Sequence, residues 1–530
     1  MNKSNVILRE DGKWYTKELD AGTLSFRGYV KHKGKIYTSE NIEGLFASAS
    51  LTKEFLEETI GEFAIILQKE DEVIAAVDRK RTIPLFYNKS QYGAWQITDH
   101  LPNSYLKKEQ LHEASVIEFI TTGYSANERT LSKDHFQIEA GQLVKAGGSE
   151  LEKVRYFSYY HTPKSIDLKQ AADELASVFK EIFHDLSIRL KDRSIIIPLS
   201  GGYDSRIIAL LLKDAGFKKI KAFTYGKPNS AEAKKSEDIA KRLGIEWTIV
   251  PYQKLDWQKW YASSEWKEYE EYATNISSMA HIQDWPAVRD IIRKYPDEKH
   301  VFIPGHSGDF TAGSHIPYEL TLEKEYKLDE IVREITKKHH RLWDVQNNQL
   351  WDLVKKEIKG SIAHLPYTTR EEASSAFEFW DWKERQGKFI INSLRVYDYY
   401  NQDWDIPLWD DRLTAFFLNV PVRYRFKKYL YDYTLHQMYP HYFPEPKDPE
   451  GTVRSVQNKY GRLYPLLKRA YQQKEQLMRY HKDPMEWYGI TGSYMSYLNS
   501  LSFTYDRAKF KNPYNINSIL VKNYISQFKG

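Results

Sequence analysis

A regular alternation of apolar runs and helical segments begins near residue 194. Residues 194–199, 220–225 and 246–252 are short, mostly apolar runs that predict strands. Segments 205–215 and 230–243 have helical spacing, and a glycine follows each of them. Because the first run is continuous, the strand that it predicts is covered on both faces. The alternation therefore predicts a parallel, doubly wound sheet with right-handed crossovers.

The loop between the first strand and the first helix reads Ser200-Gly201-Gly202-Tyr203-Asp204-Ser205. It follows the carboxyl end of a strand, where open parallel sheets bind ligands. Two consecutive glycines let several backbone N–H groups converge on one anion, and the helix presents its positive end to the same point. The serine hydroxyls add donors, and Asp204 suits a magnesium ion held among phosphates. A turn with only a structural role would need neither the acid nor both serines.

This loop differs from a Walker phosphate loop, which would read Gly-x-x-x-x-Gly-Lys-Ser/Thr. Transfer of the γ-phosphate is therefore disfavoured, and we expect the loop to hold the pyrophosphate end of ATP. The nucleoside is expected across the ends of neighbouring strands, at Leu199 before the loop and at Tyr225 and Gly226 after the second strand. That expectation rests on position, and packing is an equal alternative for Tyr225.

A second glycine-rich block follows the apolar run 301–303 and reads Pro304-Gly305-His306-Ser307-Gly308-Asp309. With the first loop, this block makes residues from about 60 to 450 resemble the asparagine synthetase family. The resemblance implies that Gly305, Gly308 and Asp309 belong to a second magnesium and pyrophosphate segment, in which Asp309 shares the metal with Asp204. An ordinary Gly-Asp turn is the alternative. Phe310 stands where the family more often has a second acid.

A third block, Asp403-Trp404-Asp405-Ile406-Pro407-Leu408-Trp409-Asp410, resembles the family segment in which an acid precedes an arginine, a proline and an aspartate. The resemblance implies that Asp403 orients or deprotonates the attacking amine. Asp405 replaces the usual basic residue and changes the charge of the pocket, so the substrate need not be aspartate. By the same resemblance, Lys447 would stabilise the transition state of the adenylate. A surface carboxylate and a solvated lysine are the alternatives for Asp403 and Lys447.

Two domains are predicted, residues 1–160 and residues 165–530. The first reads mostly as strands and resembles the amino-terminal nucleophile (Ntn) glutaminase domain of the family, through Gly61-Glu62-Phe63-Ala64, Asp78-Arg79 and 83–87. The second is expected to be an ATP-pyrophosphatase domain with a helical carboxyl-terminal part. The family's glutaminase uses a cysteine after the initiator methionine, whereas Asn2 follows Met1 here and the chain has no cysteine. We therefore expect a degenerate domain without glutaminase activity.

Composition limits the class of protein. The chain is 41% hydrophobic and 28% charged, as in folded globular proteins. It has no run of about 18–20 apolar residues and no apolar leader, so we expect a cytoplasmic protein without a membrane span. Enzymes of tRNA thiolation and of GMP or NAD synthesis use the same type of loop, but the glutaminase-like block argues against them. We expect no nucleic-acid partner.

These features predict an asparagine-synthase-like ligase that forms AMP and pyrophosphate, with ATP and Mg²⁺ as cofactors. A carboxylate on a small molecule, sugar or peptide would be activated as an acyl-adenylate and attacked by ammonia or an amine. The nitrogen could come from free ammonia, from a separate glutaminase or from the substrate, as in β-lactam synthetases and lasso-peptide cyclases, which resemble the family. The alternative is a non-catalytic scaffold or regulatory partner. A homodimer is possible in either case.

Overall fold

The first part of the chain consists of two packed β-sheets. A computed structural model describes residues 5–47, 50–296, 298–447 and 474–528. Up to residue 155 the strands are β1 Asn5–Ile7, β2 Tyr15–Leu19, β3 Gly22–His32, β4 Lys35–Tyr37, β5 Thr59–Gln68, β6 Glu72–Val77, β7 Phe86–Lys89, β8 Trp95–Thr98, β9 His135–Gln137, β10 Gln142–Gly147 and β11 Glu150–Arg155. Helices α1 Ile42–Phe46, α2 Lys53–Glu57 and α3 Glu113–Thr122 lie among them. One sheet has the order β1-β8-β7-β9, and the other has the order β11-β10-β6-β5-β3-β2 with β4 paired to β3.

Alternating side chains of β5 explain how these sheets pack. Ala64 and Ile66 share a buried cluster with Tyr87 and Ile97 of the smaller sheet. Phe63, Ile65 and Leu67, which alternate with them along the strand, belong to a second buried cluster that includes side chains of α1 and α2. Because successive side chains of a strand point to opposite faces, β5 is covered on both sides. The prediction that this region is mostly strands is confirmed.

A five-stranded parallel sheet forms the centre of the rest of the chain. Its strands are β12 Ile195–Pro198, β13 Ile220–Gly226, β14 Glu246–Pro251, β15 Val301–Phe302 and β17 Asp403–Trp404, in the order β14-β13-β12-β15-β17. Helices α4 Leu168–Arg189, α5 Tyr203–Asp214 and α6 Ala231–Leu243 accompany them. The predicted parallel sheet is confirmed, and β15 and β17 extend it by two strands. The boundary predicted between residues 160 and 165 falls in the segment that joins β11 to α4.

Helices cover both faces of this sheet, and the remainder is largely helical, as predicted. Ile195 and Ile197 pack with α4 and α5 in one buried cluster, whereas Ile196 belongs to another. The further helices are α7 Lys254–Tyr261, α8 Ser264–Thr274, α9 Trp285–Lys294, α10 Gly308–Thr311, α11 Leu328–His339, α12 Asn348–Ile362, α13 Arg370–Asp381, α14 Arg395–Tyr399, α15 Asp411–Phe417, α16 Val422–Arg425, α17 Tyr429–Met438, α18 Tyr494–Asn499 and α19 Ile516–Ser526. A small sheet contains β16 Asp344–Val345, β18 Ser502–Tyr505 and β19 Ala508–Lys511. Within the described ranges, no helix is both long and apolar enough to cross a membrane.

A buried charge cluster joins the strand-rich part of the chain to the helical part. Asp398 of α14 accepts a hydrogen bond from Arg27 of β3 at 2.5 Å, and it lies 2.7 Å from Arg395 and 3.7 Å from Lys13. Burial alone would raise the pKa of Asp398, but the three cations outweigh it and lower the pKa to about 2. The two parts of the chain are thus held together by one carboxylate that three cations share.

Replacing this carboxylate is expected to destabilise the fold. Asp398→Asn leaves buried cations without a charged partner, which costs about 3–5 kcal/mol in the free energy of unfolding. The matched variant Asp352→Asn removes an exposed carboxylate that lies 3.1 Å from Lys355, and it should change the free energy by about 1 kcal/mol or less. Urea unfolding measures both variants. Equal effects would contradict a joining role for Asp398.

The same cluster predicts a pH dependence with a defined sign. An unfolded aspartate has a pKa of about 4, and the pKa of Asp398 in the folded protein is about 2. The stabilisation is therefore complete above about pH 4 and is lost as the pH falls towards 2. The free energy of unfolding of Asp398→Asn should lack this component of the acid loss, as unfolding measured across this range will show.

Candidate active site

Two serines shape the loop between β12 and α5. Ser205 Oγ accepts a hydrogen bond from the Ser200 N–H at 3.0 Å and lies 3.1 Å from Ser200 Oγ. Ser200 Oγ also accepts from the Gly202 N–H at 3.2 Å. Helix α5 begins at Tyr203 without a side-chain cap, and the first N–H groups of a helix have no partner within it. The loop and the positive end of α5 therefore suit a phosphate group.

Two glycines bring the second block against the start of α5. A Cβ atom on Gly305 would lie 3.0 Å from Asp204 Cβ and 3.1 Å from the Ser205 nitrogen. A Cβ atom on Gly308 would lie 2.9 Å from Leu408 Cδ1 and 3.3 Å from Asp204 Cγ. A side chain at either position would push the two segments apart. The structure thus brings together the 200–205 loop and the 305–309 block.

Asp204 lies in the first turn of α5 and is held from α17. The Tyr431 hydroxyl donates a hydrogen bond to Asp204 Oδ1 at 2.9 Å. Burial and the nearby charge of Asp309 raise the pKa of Asp204 to about 6, although Lys428 and the hydrogen bond from Tyr431 act to lower it. The two carboxylates are therefore close enough to repel each other.

Asp309 lies in the first turn of α10 and is held by residues that follow it closely in the sequence. Ser314 Oγ donates a hydrogen bond to Asp309 Oδ2 at 3.2 Å, and His315 Nε2 lies 3.5 Å from the same oxygen. The other ring nitrogen of His315 lies 2.5 Å from the buried Asp381 Oδ2. Burial would raise the pKa of Asp309, but His315 and the charge of Arg385 outweigh it and lower the pKa. Asp309 is thus the more readily ionised of the two acids.

The pair of acids fits a magnesium ion that also binds phosphate. In the described part of the chain, no three His, Asp or Glu side chains are grouped so that they could hold a metal by themselves. Mg²⁺ commonly takes one or two carboxylates and completes its shell with phosphate oxygens and water. A divalent cation would also relieve the repulsion that raises the pKa of Asp204. Asp204 and Asp309 are therefore the residues that would hold it.

Cationic side chains surround the loop. Lys235 of α6 lies beside Gly201, where a Cβ atom would be 3.2 Å from Lys235 Cδ. Arg206 donates a hydrogen bond to the Gly201 carbonyl at 3.0 Å. The Lys428 ammonium lies 4.3 Å from the centre of the Tyr203 ring. Lys428 also pairs with Asp432 at 2.5 Å, so Lys235 and Arg206 are the positive charges that favour a polyphosphate over a singly charged anion at this turn.

The positions predicted for the nucleoside lie at the ends of β12 and β13. Leu199 is buried. The Tyr225 ring stacks on Tyr252 with the ring centres 5.4 Å apart, so Tyr225 packs within the protein. Gly226 has a φ of 111°, and a Cβ atom there would lie 2.9 Å from the Met485 sulfur. The carboxyl-terminal part of the chain therefore approaches this strand end, and the binding of a nucleoside there stays a prediction.

The structure does not bring Asp403 to the loop. Asp403 opens β17 and pairs with Val301, which is in register with Ile195 at the start of β12. The loop begins five residues after Ile195, about 16 Å further along a strand. The Asp403 carboxylate instead lies 2.7 Å from Arg193 and 2.9 Å from Lys299. The predicted contact of Asp403 with an attacking amine is therefore corrected: Asp403 forms ion pairs at the amino-terminal edge of the sheet.

Three further residues, two of the third block and Lys447 after it, have clear positions. Asp405 is buried 2.5 Å from Arg189, so its charge is compensated within the protein rather than changing the charge of a pocket. Leu408 packs against Gly308 and is the residue of this block that contacts the second block. Lys447 is exposed, and its role at the adenylate stays a prediction.

Sequence reasoning missed the side chains that hold the two acids. Tyr431 and Lys428 come from α17 and the residue before it, more than 200 positions after Asp204. His315 follows Asp309 by six positions, outside the glycine-rich block. None of the three stands in a recognisable motif, and only the closeness of His315 to the block could have suggested it.

One comparison with known proteins matches the segment that contains the 200–205 loop. Residues 186–261 match the family model of asparagine synthase. The matched segment contains the 200–205 loop, β13 and β14, so the resemblance to the asparagine synthetase family is confirmed over this segment. A search of curated protein sequences gave no match.

Solved structures resemble parts of the chain. An NH3-dependent NAD synthetase from Campylobacter jejuni is 13% identical and covers 28% of this chain and 61% of its own, with a TM-score of 0.19. A glutamine phosphoribosylpyrophosphate amidotransferase from B. subtilis is 10% identical and covers 55% of this chain and 63% of its own, with a TM-score of 0.18. The chain thus spans about three fifths of the length of these two proteins. The sheet order, rather than these matches, defines the fold class.

The glycine contact leads to a prediction about activity. Gly305→Ala places a methyl group 3.1 Å from the Ser205 backbone nitrogen, which cannot yield as a flexible side chain would. If the chain releases pyrophosphate from ATP, as the sequence predicts, this release should fall about tenfold to a hundredfold, since small displacements of reacting groups have such effects. Gly360→Ala is the matched variant, because a Cβ atom there meets nothing within 4 Å. If both variants keep the wild-type rate, this contact does not position the site.

Proposed function

We propose that this chain is an ATP-dependent ligase of the asparagine synthase type, which activates a carboxylate as its acyl-adenylate and forms an amide. One observation carries the proposal: the uncapped start of α5 and the 200–205 loop lie where Asp204 and Asp309 meet across Gly308. The N–H groups that could bind a polyphosphate thus lie beside two carboxylates that could bind the magnesium ion of that polyphosphate. The family match over residues 186–261 supports this assignment.

The proposed reaction has two steps. An oxygen of the substrate carboxylate attacks the α-phosphorus of ATP, and the bond to the bridging oxygen breaks, so pyrophosphate leaves. The nitrogen of ammonia or of an amine then attacks the acyl carbon, loses a proton and displaces AMP. The loop N–H groups, with Lys235 and Arg206 nearby, hold the pyrophosphate and stabilise the charge that develops on it. A magnesium ion between Asp204 and Asp309 would supply further charge neutralisation.

The source of nitrogen follows from what the first domain lacks. The chain has no cysteine, so the thiol chemistry of an amino-terminal glutaminase is not available to it. Asn2 and Ser4 lie outside the described residues. We therefore propose that the nitrogen arrives as free ammonia, from a separate glutaminase or as an amine on the substrate. The first domain then serves as a structural partner of the ligase part.

A non-catalytic scaffold is the alternative function. A scaffold has no need to keep two mutually repelling acids beside an uncapped helix, because the raised pKa of Asp204 reflects a cost to folding. Both acids are present, and Tyr431 and His315 hold them in place. These contacts favour the enzyme over the scaffold.

Asp204→Asn tests the proposed chemistry. We expect this variant to lose pyrophosphate release from ATP by at least about a hundredfold, because a neutral amide binds magnesium much more weakly than a carboxylate does. The release is measured with a panel of carboxylic acids and either ammonia or a simple amine. Asp238→Asn, an exposed position on α6, is the matched variant and should keep the wild-type rate. Equal release by Asp204→Asn, or no release and no ATP binding by the wild type, would support the scaffold.

Glutamine provides a separate test of the first domain. The isolated chain is expected to form no glutamate from glutamine, whereas ammonium chloride should support any amide formation that uses free ammonia. Glutamate is measured by mass spectrometry, and adding an unrelated active glutaminase is the positive control. Efficient hydrolysis of glutamine by the purified chain would show that the first domain has a nucleophile other than cysteine.

A further inference from the structure

Arg385 is a half-buried cation that makes no hydrogen bond and no ion pair with the described residues. It lies in the π-helical segment Trp382–Ile390, which follows α13. Among the residues that the structure describes, its guanidinium has no hydrogen bond, no ion pair and no ring contact. Its two neighbours are buried and bonded: Glu384 lies 2.5 Å from Lys388, and Gln386 accepts a hydrogen bond from Ser307 at 2.9 Å. The absence of a partner is therefore specific to Arg385.

The nearest acids are already used by other residues. Asp381 precedes Arg385 by four positions, the spacing at which an ion pair forms on a helix. Its carboxylate instead lies 2.5 Å from His315 and accepts a hydrogen bond from Gln386 at 3.2 Å. Asp309 is bonded by its own neighbours, Phe310 N–H and Ser314. The guanidinium is thus left with its donors free.

Arg385 lies on a segment that borders the candidate active site. Its neighbour Gln386 accepts a hydrogen bond from Ser307 of the 305–309 block at 2.9 Å. Phe389, four positions further along the same segment, packs on the His281 ring with the ring centres 4.4 Å apart. In agreement with this position, the charge of Arg385 lowers the pKa of Asp309. π-Helical segments often occur at functional sites, where they redirect side chains.

A guanidinium with free donors in this position can bind an anionic ligand. Arginine carries a planar array of donors that matches a carboxylate or phosphate in a two-pronged contact. The loop has its own cations, Lys235 and Arg206, for the pyrophosphate. Arg385 is thus available for another anionic group.

We propose that Arg385 binds a second anionic group, a carboxylate or a phosphate, of the acid whose carboxylate is adenylated at this site. This proposal rests on the proposed function for the identity of that acid. The substrate class is then an acid with two anionic groups: one reacts with ATP beside Asp204 and Asp309, and the other binds Arg385. A monocarboxylic acid of similar size would lack the second contact and would be a poor substrate.

The first measurement is thermal unfolding without ligand. Arg385→Gln removes a cation that makes no hydrogen bond and no ion pair, so its unfolding temperature should stay close to that of the wild type. The matched variant Arg425→Gln removes a fully buried guanidinium that pairs with Glu378, and it should unfold at a clearly lower temperature. If Arg385→Gln lowers the unfolding temperature as much as Arg425→Gln does, Arg385 is a structural residue and the proposal fails.

The second measurement is anion binding to the full chain. Succinate and inorganic phosphate are titrated separately, with pyrophosphate present to occupy the loop, and the unfolding temperature is recorded. One of the two anions should stabilise the wild type, and Arg385→Gln should weaken its apparent affinity at least about tenfold. The anion that stabilises the protein shows whether Arg385 binds a carboxylate or a phosphate. Arg341→Gln is the control, because this exposed arginine stacks on Tyr514. No stabilisation of the wild type by either anion, or equal stabilisation of both proteins, overturns the proposal.

This test can be separated from that of the proposed function. Anion binding is measured without ATP, and it is repeated in Asp204→Asn, where the difference caused by Arg385→Gln should persist. If pyrophosphate release fails but the anion effect remains, the chain has an anion site and a different chemistry. If pyrophosphate is released but the anion effect is absent, the proposed ligase function is supported and Arg385 does not bind the substrate.

Discussion

The site depends on the close approach of two glycines to the first turn of one helix. Gly305 and Gly308 lie so near Asp204 that a methyl group at either position would meet atoms at about van der Waals contact or closer. This approach places the 305–309 turn beside the 200–205 loop and brings two carboxylates within repelling distance. The parallel sheet makes the approach possible, because β12 and β15 are neighbours and both end at the same edge. The N–H groups that suit a phosphate, the two acids and Leu408 all take their positions from this one contact.

The strand-rich first part of the chain is bound to the part that contains the parallel sheet through buried polar contacts. Besides the cluster at Asp398, the Gly61 N–H donates a hydrogen bond to Asp411 at 3.0 Å, and Lys80 lies 3.5 Å from the same carboxylate. Asp411 follows the third block directly, so the segment that contains Leu408 is anchored on the first domain. A domain without its expected nucleophile can therefore still be needed, because it supports the segment that packs on Gly308.

The sequence predicted what is local and missed what depends on strand pairing. The apolar run at 195–198 and the Ser-Gly-Gly turn specify a strand, a loop and a helix within a few residues, and the structure agrees. The misplacement of Asp403 has a different origin: β17 is only two residues long, and its register against Val301 decides which edge of the sheet the acid occupies. No local pattern contains that register. Arg385 was likewise invisible, because its isolation results from the use of Asp381 by His315, a contact across 66 residues.

Hydrogen exchange of the backbone amides tests the central claim most directly, because it reports on the loop whatever the acid substrate is. The chain is incubated with magnesium and a non-hydrolysable analogue of ATP, and exchange is followed by mass spectrometry. We expect slower exchange in peptides that contain residues 200–205 and 305–310, since their N–H groups would hold the nucleotide phosphates and Asp204 and Asp309 would hold the metal. Unchanged exchange in both peptides at saturating nucleotide would contradict it.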